Sequence, residues 1–532
     1  MLQTDVLIIG GGAAGLRASI EARRRGSEVI LASKAPMGYS SSTLYSGGGF
    51  RAAFGGYSKE RHFEETIIGG KLLNDQELVR TLVLEGPDKL AELKDFGVAV
   101  KTREGGIGVS DGPLTPGKGL VVPMADYARD MGVNFLENIM VIDLMVNDSA
   151  YGTIFYDGRK GRVFPILSKA VVLATGGYSQ LFARTDNPVR VSGDGCAMAL
   201  RAGATLIDLE LTQFFPIGLA EEGKPAWLFP ALSGKLVNSL GEEILVKYGF
   251  NKPLSRAAVE NRDMLSRAMW TEIFEGRGSN EALIIDLAHT AREDYLSNLS
   301  SIASFLSRSL DVKALKIKVA PTAHFTMGGI KIDVDCETNI PGLFACGEVS
   351  SGVHGANRLG GNALTEAIVF GARAGSRAAE WAEMAKHISL DESYIDRAER
   401  LVSSLKKGRH PIEEMRGKLK RETWAKCGVI RDKGKLTDLL GFIAENRHVV
   451  EETRATSNSD VMKGFELRNM FELAEAVALS ALTREESRGA HYRLDFPEQR
   501  DDLWLKRIAT TKIDDKLSLN LLPVDLKYFS TT

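Results

Sequence analysis

Residues Asp5 to Ile9 form an apolar, β-branched run that stops at Gly10 in "DVLIIGGGAAG", after which small and apolar residues recur at helical spacing as far as Gly26. "SEVILASK" then supplies a second buried strand. The glycines Gly10, Gly12 and Gly15 stand between strand and helix, so the segment is a βαβ unit with G-x-G-x-x-G in the context that gives the pattern meaning. Such a unit lets the backbone approach a pyrophosphate, whose charge rests on the N-terminus of the following helix. The acidic ribose ligand expected about twenty residues further on is replaced by Ser33 and Lys34. This departure disfavours a plain nicotinamide site and favours flavin adenine dinucleotide.

At 532 residues the chain exceeds one compact core, and two to four domains are expected. The 67 Lys plus Arg nearly balance the 69 Asp plus Glu, a formal net charge of -2 that offers no global field toward nucleic acid or an anionic membrane. The 4 cysteines, Cys196, Cys336, Cys346 and Cys427, show no CxxC pair and no metal-ligand spacing, so no metal or cluster site is expected within the chain. The N-terminus lacks the features of a signal peptide, and no apolar run reaches membrane-spanning length. A cytoplasmic location is expected, with membrane association only through partner subunits.

Further along, "GLVVPMADYARDMGVNFLENIMVIDLMV" reads as helix then strand, and "YGTIFYDGRKGRVFPILSKAVVLATGG" as a hairpin around Asp157 and Gly158 leading to a buried strand. That strand ends at Ala174, Thr175 and Gly176, small residues suited to close approach by a cofactor. "VSGDGCAMALRAGA" reads as a Gly-rich loop opening a helix, with Asp194 available for a hydroxyl or a cap. From about Phe215 the pattern becomes helix-rich, and "PGLFACGEVSSG" returns to strand and glycine. The expected organisation is a first domain over 1–214 and 321–388, an insertion over 215–320, a helical region over 389–505 and an irregular tail over 506–532.

The stretch "VHGANRLGGNALTEA" places His354, Asn357, Arg358 and Asn362 among glycines just before a long helix. Together with the fingerprint, "ATGG", "SGDG", "PTAHFTMGGI" followed by "CET", "GLFACGE" and "ESRGAHYRLDFP", in this order, it makes the chain resemble the flavoprotein subunits of succinate dehydrogenase and fumarate reductase, whose superfamily includes L-aspartate oxidase. The resemblance covers roughly residues 1 to 510. It implies an α/β fold: a Rossmann-like FAD-binding domain interrupted by a capping domain and followed by a C-terminal helical domain. It also implies an iron–sulfur protein as electron partner, since this chain has no cluster ligands of its own.

Carried over position by position, the resemblance makes Arg358 a substrate-carboxylate ligand, His324 a hydrogen-bond partner of substrate and Arg262 the proton donor. Fixed guanidinium groups suit carboxylates because they pair bidentately. For the cofactor it implies Gly10, Gly12, Ala14 and Gly15 at the pyrophosphate, with Ser33 and Lys34 near the adenosine ribose. Ser41, Ser42, Thr43, Gly48 and Gly49 then lie beside the flavin, Glu348 on a ribityl hydroxyl, and Asn362, Ala363 and Leu364 close to the ring. Ser42 stands where membrane-bound members carry a covalently attached histidine, so FAD is expected to be non-covalent, with His62 as the alternative attachment point.

The departures lie in the capping region. "QFFPIG" replaces the family's "QFHPT", so Phe215 stands for a carboxylate-binding histidine and Ile217 for a threonine, and "WLFPALSGKLVN" lacks the family's Thr-Glu pair. A carboxylate buried against phenylalanine costs several kcal/mol, so either Thr212, Gln213 or Ser233 rebuilds that half of the site or the substrate presents an apolar group there. The expected function is reduction of the C=C bond of fumarate or a related unsaturated carboxylate, or the reverse oxidation. The alternatives are an L-aspartate oxidase-like amino-acid oxidase and an electron-transfer flavoprotein with an altered organic site.

Overall fold

A computed structural model describes residues 2–37, 41–110, 116–220, 234–288 and 316–529. Strand β1 (Leu2–Ile9) leads through helix α1 (Ala13–Arg24) to strand β2 (Val29–Ser33), which pairs parallel with β1 in the register Val6 to Val29. On its other edge β1 pairs parallel with Arg162–Leu173. That strand is long enough to divide its free edge: its first half takes Ala150–Asp157 antiparallel, and its end takes Leu343–Ala345 parallel. The central strands are apolar and buried on both faces, as a parallel sheet covered by helices requires. One cover is the helix Asn362–Met384, where Gly371 and Gly375 admit α1 so closely that a Cβ at Gly375 would meet the Ala18 carbonyl oxygen at 2.2 Å.

A second core forms around a four-stranded antiparallel sheet in the order Thr212–Leu219, Lys316–Thr326, Leu283–Asp286, Lys235–Val237. Its hydrophobic cluster, including Ile217, Leu236, Leu265, Met269 and Val319, is separate from the main one, and the helices Leu254–Glu260 and Arg262–Phe274 pack on it. Helices Ser393–Lys407, Ile412–Cys427, Lys433–Glu451 and Asn458–Thr483 pack instead against the main core.

Residues 506–523 are not the irregular tail expected from the sequence. Lys506–Ile513 and Lys516–Pro523 form a β-hairpin whose first strand pairs with Leu206–Ile207. Its turn puts Asp514 and Asp515 at φ 48° and 60°, the left-handed pair that a two-residue hairpin needs. Asp-Asp is a weaker hairpin signal than Asn-Gly, which is why the strand alternation around it reads as loop. The motif "ESRGAHYR" folds into a buried charge network in which Arg484 bridges Glu210 (2.6 Å) and Glu486 (3.0 Å), all fully buried. No helix among the described residues is long and apolar enough to cross a membrane.

Candidate cofactor and substrate site

The C-terminal ends of β1, β2 and Arg162–Leu173 open onto one cavity of about 850 Å³, the position where a doubly wound sheet binds ligands. At one end lies the turn before α1. Gly10 has φ +121°, and a Cβ there would meet the Ala174 carbonyl oxygen at 2.1 Å, while a Cβ on Gly15 would meet the Gly10 carbonyl oxygen at 1.9 Å. Only glycine fits either place. No acidic residue stands in the first turn of α1, whose first backbone N–H donates to Thr43 Oγ1 at 3.2 Å, so the positive end of the helix meets the cavity without a charge to offset it. These features fit the pyrophosphate of a dinucleotide.

Beyond β2, Lys34 is held by Asp194 (2.5 Å), Glu466 (2.7 Å) and the Ser192 hydroxyl (2.9 Å), so its charge is satisfied by protein rather than offered to a ligand. Glu348 accepts from the Thr326 backbone N–H at 3.0 Å, and burial pushes its carboxyl up to about 7. Ser42 donates to Asn187 at 2.7 Å.

The other end of the cavity is built by the stretch 353–367. Gly361, at φ +90°, caps the helix Asn362–Met384 and lies so near Arg51 that a Cβ would sit 2.9 Å from its backbone nitrogen. The loop therefore needs glycine to pass, and it sets Arg358 in a buried position. Arg358 Nη2 and Arg262 Nη1 both donate to one oxygen, Gln213 Oε1, each at 3.0 Å. Gln213 in turn donates to Asn357 Oδ1 (2.7 Å) and to the Arg358 carbonyl (3.1 Å), which fixes its amide orientation. Neither arginine has an ion-pair partner among the described residues. Burial lowers Arg358 to about 10; burial, followed by the charge of Arg358, lowers Arg262 to about 9.

Phe325 presents its ring to the Arg358 guanidinium at 4.5 Å. The same ring meets His354 edge-on at 5.1 Å, and His354 Nε2 lies 3.0 Å from Glu366. On the neighbouring wall, His324 Nδ1 is 2.7 Å from Asp186 Oδ2, while Asn187 donates to the His324 carbonyl at 2.8 Å. The Phe215 ring lies against His324 with centroids 5.6 Å apart. Phe215, which stands where the family's carboxylate-binding histidine is expected, packs on His324 and does not itself line the cavity.

Most of the residues singled out in the sequence line this single cavity, including Gly10, Gly12, Ala14, Ser33, Lys34, Ser41, Ser42, Thr43, Gly48, Gly49, Ala174, Thr175, Gly176, Asp194, Glu348, Ala363, Leu364, His324 and Arg358. Gly15, Asn362 and Arg262 stand one layer behind. Asn362 is buried and joins His62 Nε2 (2.8 Å) to Thr66 (3.0 Å), and Arg262 reaches the site through Gln213. His62 is fully buried, and burial lowers it to about 4, so its imidazole is neutral. Of the three residues named as able to rebuild the second carboxylate site, Gln213 instead bridges the two arginines, Thr212 is buried outside the lining, and Ser233 lies outside the described residues. The lost Thr-Glu segment falls outside them too.

Sequence reasoning missed Asp186 and Asn187, because "TDNP" reads as an ordinary turn. It also missed Arg51 and Arg103, which line the cavity from a small β-ribbon.

A family profile described as FAD binding domain matches residues 5–364, and one described as fumarate reductase flavoprotein C-term matches residues 416–532. The chain is 38% identical to an uncharacterized FAD-dependent oxidoreductase of Methanocaldococcus jannaschii over 94% of this chain and 95% of that protein. It is 34% identical to one subunit of the fumarate reductase (CoM/CoB) of Methanothermobacter marburgensis, over 96% and 98% of the two chains. Among solved structures, a variant of E. coli quinol fumarate reductase superposes with a TM-score of 0.91 at 30% identity, covering 100% of this chain and 99% of that one. The glycine cradle at the start of α1 agrees with the cofactor these matches name. The chain belongs to the FAD-dependent flavoprotein family of fumarate reductase and succinate dehydrogenase.

Proposed function

We propose that this chain is the flavoprotein subunit of a complex that interconverts an unsaturated and a saturated carboxylate, with an iron–sulfur protein as its electron partner. The observation that carries the reading is the meeting of Arg262 and Arg358 on Gln213, at the same end of the cavity as His324. Two buried guanidinium groups resting on a neutral amide leave a local positive charge that an anionic substrate would neutralise. Residues 215–320 act as the capping unit, and FAD is held without a covalent bond. The complex works in the cytoplasm, touching membrane only through partners.

Reduced FAD, when bound, supplies a hydride from its N5 position to one carbon of the double bond. Arg358 holds a substrate carboxylate, and stacking on Phe325 fixes the plane of its guanidinium. Asp186 orients His324 by accepting from or pairing with Nδ1, which leaves Nε2 for the substrate. Arg262 delivers a proton to the carbon adjacent to the one that receives hydride. An ordinary arginine, at about 12 or above, is a poor acid, and the lowering of Arg262 to about 9 brings it within reach of that task. Electron-transfer service alone would leave this convergence of three polar side chains without a purpose.

The test is stopped-flow oxidation of the photoreduced protein by a panel of unsaturated mono- and dicarboxylates. Fumarate or a close relative is expected to restore the oxidised flavin spectrum. If none does so while a protein acceptor or iminoaspartate does, the reading is wrong.

A further inference from the structure

The cavity contains a second group of cations that the proposed reaction leaves unused. Arg51 ends strand β3 (Gly49–Arg51) and Arg103 ends strand β4 (Val100–Arg103), and both strands pair antiparallel with β5 (Gly106–Val109) between them. Gly106 is in register with Arg51 on one side and with Arg103 on the other. The three residues form one row across the ribbon, and residues in a row project to the same face at about 4.8 Å per strand. The middle member has no side chain, and none could be added, because a Cβ on Gly106 would meet the Phe50 carbonyl oxygen at 1.8 Å. The middle place of the row is taken up by the Phe50 carbonyl, and the two arginines stand on either side of it.

Both arginines line the cavity that holds His324 and Arg358. Arg51 Nε donates to the Gly360 carbonyl at 3.0 Å, and the other side of Gly360 abuts Arg262, whose Nη2 lies 3.4 Å from where a Cβ would be. The two arginine pairs are therefore neighbours across one loop residue. Arg51 is bound by Glu65 (2.9 Å) and Tyr57 (3.1 Å), which hold it in place. Arg103 makes no ion pair and no hydrogen bond among the described residues. Its guanidinium lies against Gly49, where a Cβ would sit 2.7 Å from Nη2. Glu104 also lines the cavity and is not paired with it.

Phe215 packs on His324 and brings no charge where the family's histidine would stand, so among the described residues a second substrate carboxylate would go unpaired there at a high desolvation cost. We propose that Arg103, an exposed residue that lines the cavity, forms a second anion subsite, so that the substrate is a dicarboxylate held between Arg358 and Arg103. The anion contact comes from the cofactor-binding region and not from the capping unit. This rests on reading the cavity as an unsaturated-carboxylate site.

The experiment is an equilibrium titration of the oxidised holoprotein with fumarate and with crotonate, in which a methyl replaces one carboxylate, followed by the flavin difference spectrum. Neither compound can be reduced by oxidised flavin, so binding is read without turnover. The wild-type protein is expected to bind fumarate about tenfold or more tightly than crotonate, and Arg103→Gln to weaken fumarate by about tenfold while crotonate changes by less than about twofold. Arg103→Lys should recover part of the difference. The proposal is overturned if wild-type protein holds crotonate as tightly as fumarate, or if Arg103→Gln affects both ligands alike or neither. Oxidation of photoreduced protein separates the two claims: a charge-selective response at Arg103 without reoxidation by any unsaturated acid sinks the proposed reaction and leaves the subsite standing.

Discussion

Arg262 and Arg358 reach Gln213 Oε1 from opposite elements, a helix of the second core and a glycine loop of the first, each at 3.0 Å. One neutral amide oxygen therefore couples the two regions directly behind the cavity that Arg358 lines. Bringing two guanidinium groups together without a carboxylate costs stability, and a bound carboxylate would relieve that cost.

The two arginines should fail differently. Arg358→Lys is expected to retain FAD and to weaken fumarate binding by about tenfold or more, since an ammonium loses the planar fork and its stacking on Phe325. Arg262→Gln should lower the rate of flavin reoxidation by about 10²- to 10⁴-fold with a smaller effect on binding. In the wild-type protein that rate should decline as pH rises through about 9, because the proton donor is then lost from the free protein. Rates that stay flat past this pH would remove Arg262 from the proton path.

Glu348 makes the apoprotein sensitive to pH. Its folded carboxyl is pushed up to about 7 from the ordinary carboxylate range by burial, so the folded state binds a proton that the unfolded state has released. The stabilising contribution is complete below about 4.5 and is lost as pH rises through about 7. Denaturant titrations of the apoprotein across this window should show stability falling with pH by roughly 1–3 kcal/mol from this group, and Glu348→Gln should flatten the slope. An unchanged slope in the variant would disprove the assignment.

Trp424, on the helix Ile412–Cys427, meets Trp270 of the helix Arg262–Phe274 edge-on at 5.0 Å and also contacts Phe214 and Phe182. Phe214 adjoins Gln213 in sequence, so this aromatic cluster supports the strand that carries the bridging amide. Trp424→Ala should cost about 3–5 kcal/mol in chemical denaturation and loosen fumarate binding, while Trp424→Phe should keep most of both. A denaturation midpoint unmoved by the alanine variant would show that the cluster contributes nothing.

Flavin attachment gives a simple check. Ser42 has no imidazole to form the histidyl ring linkage and is engaged with Asn187, while His62 is buried behind Asn362. Acid precipitation should release the yellow colour into the supernatant. Colour remaining with the pellet would contradict non-covalent binding.

The nucleotide end of the site was legible in the chain because its chemistry is local: a strand, three glycines and a helix start are adjacent in sequence, and their spacing alone imposes the fold that cradles a pyrophosphate. The roles proposed for Arg262, His324 and Arg358 rest on family motifs and not on local spacing. The tertiary structure decided what each of them touches. Asp186 reaches His324 across 138 positions and Gln213 reaches Arg358 across 145, and no periodicity or spacing encodes contacts of that length. The same holds for Arg51 and Arg103, whose shared row depends on strand register around Gly106. A side chain's type is written in the sequence, but its electrostatic partner and its burial arise only when distant segments close on one another.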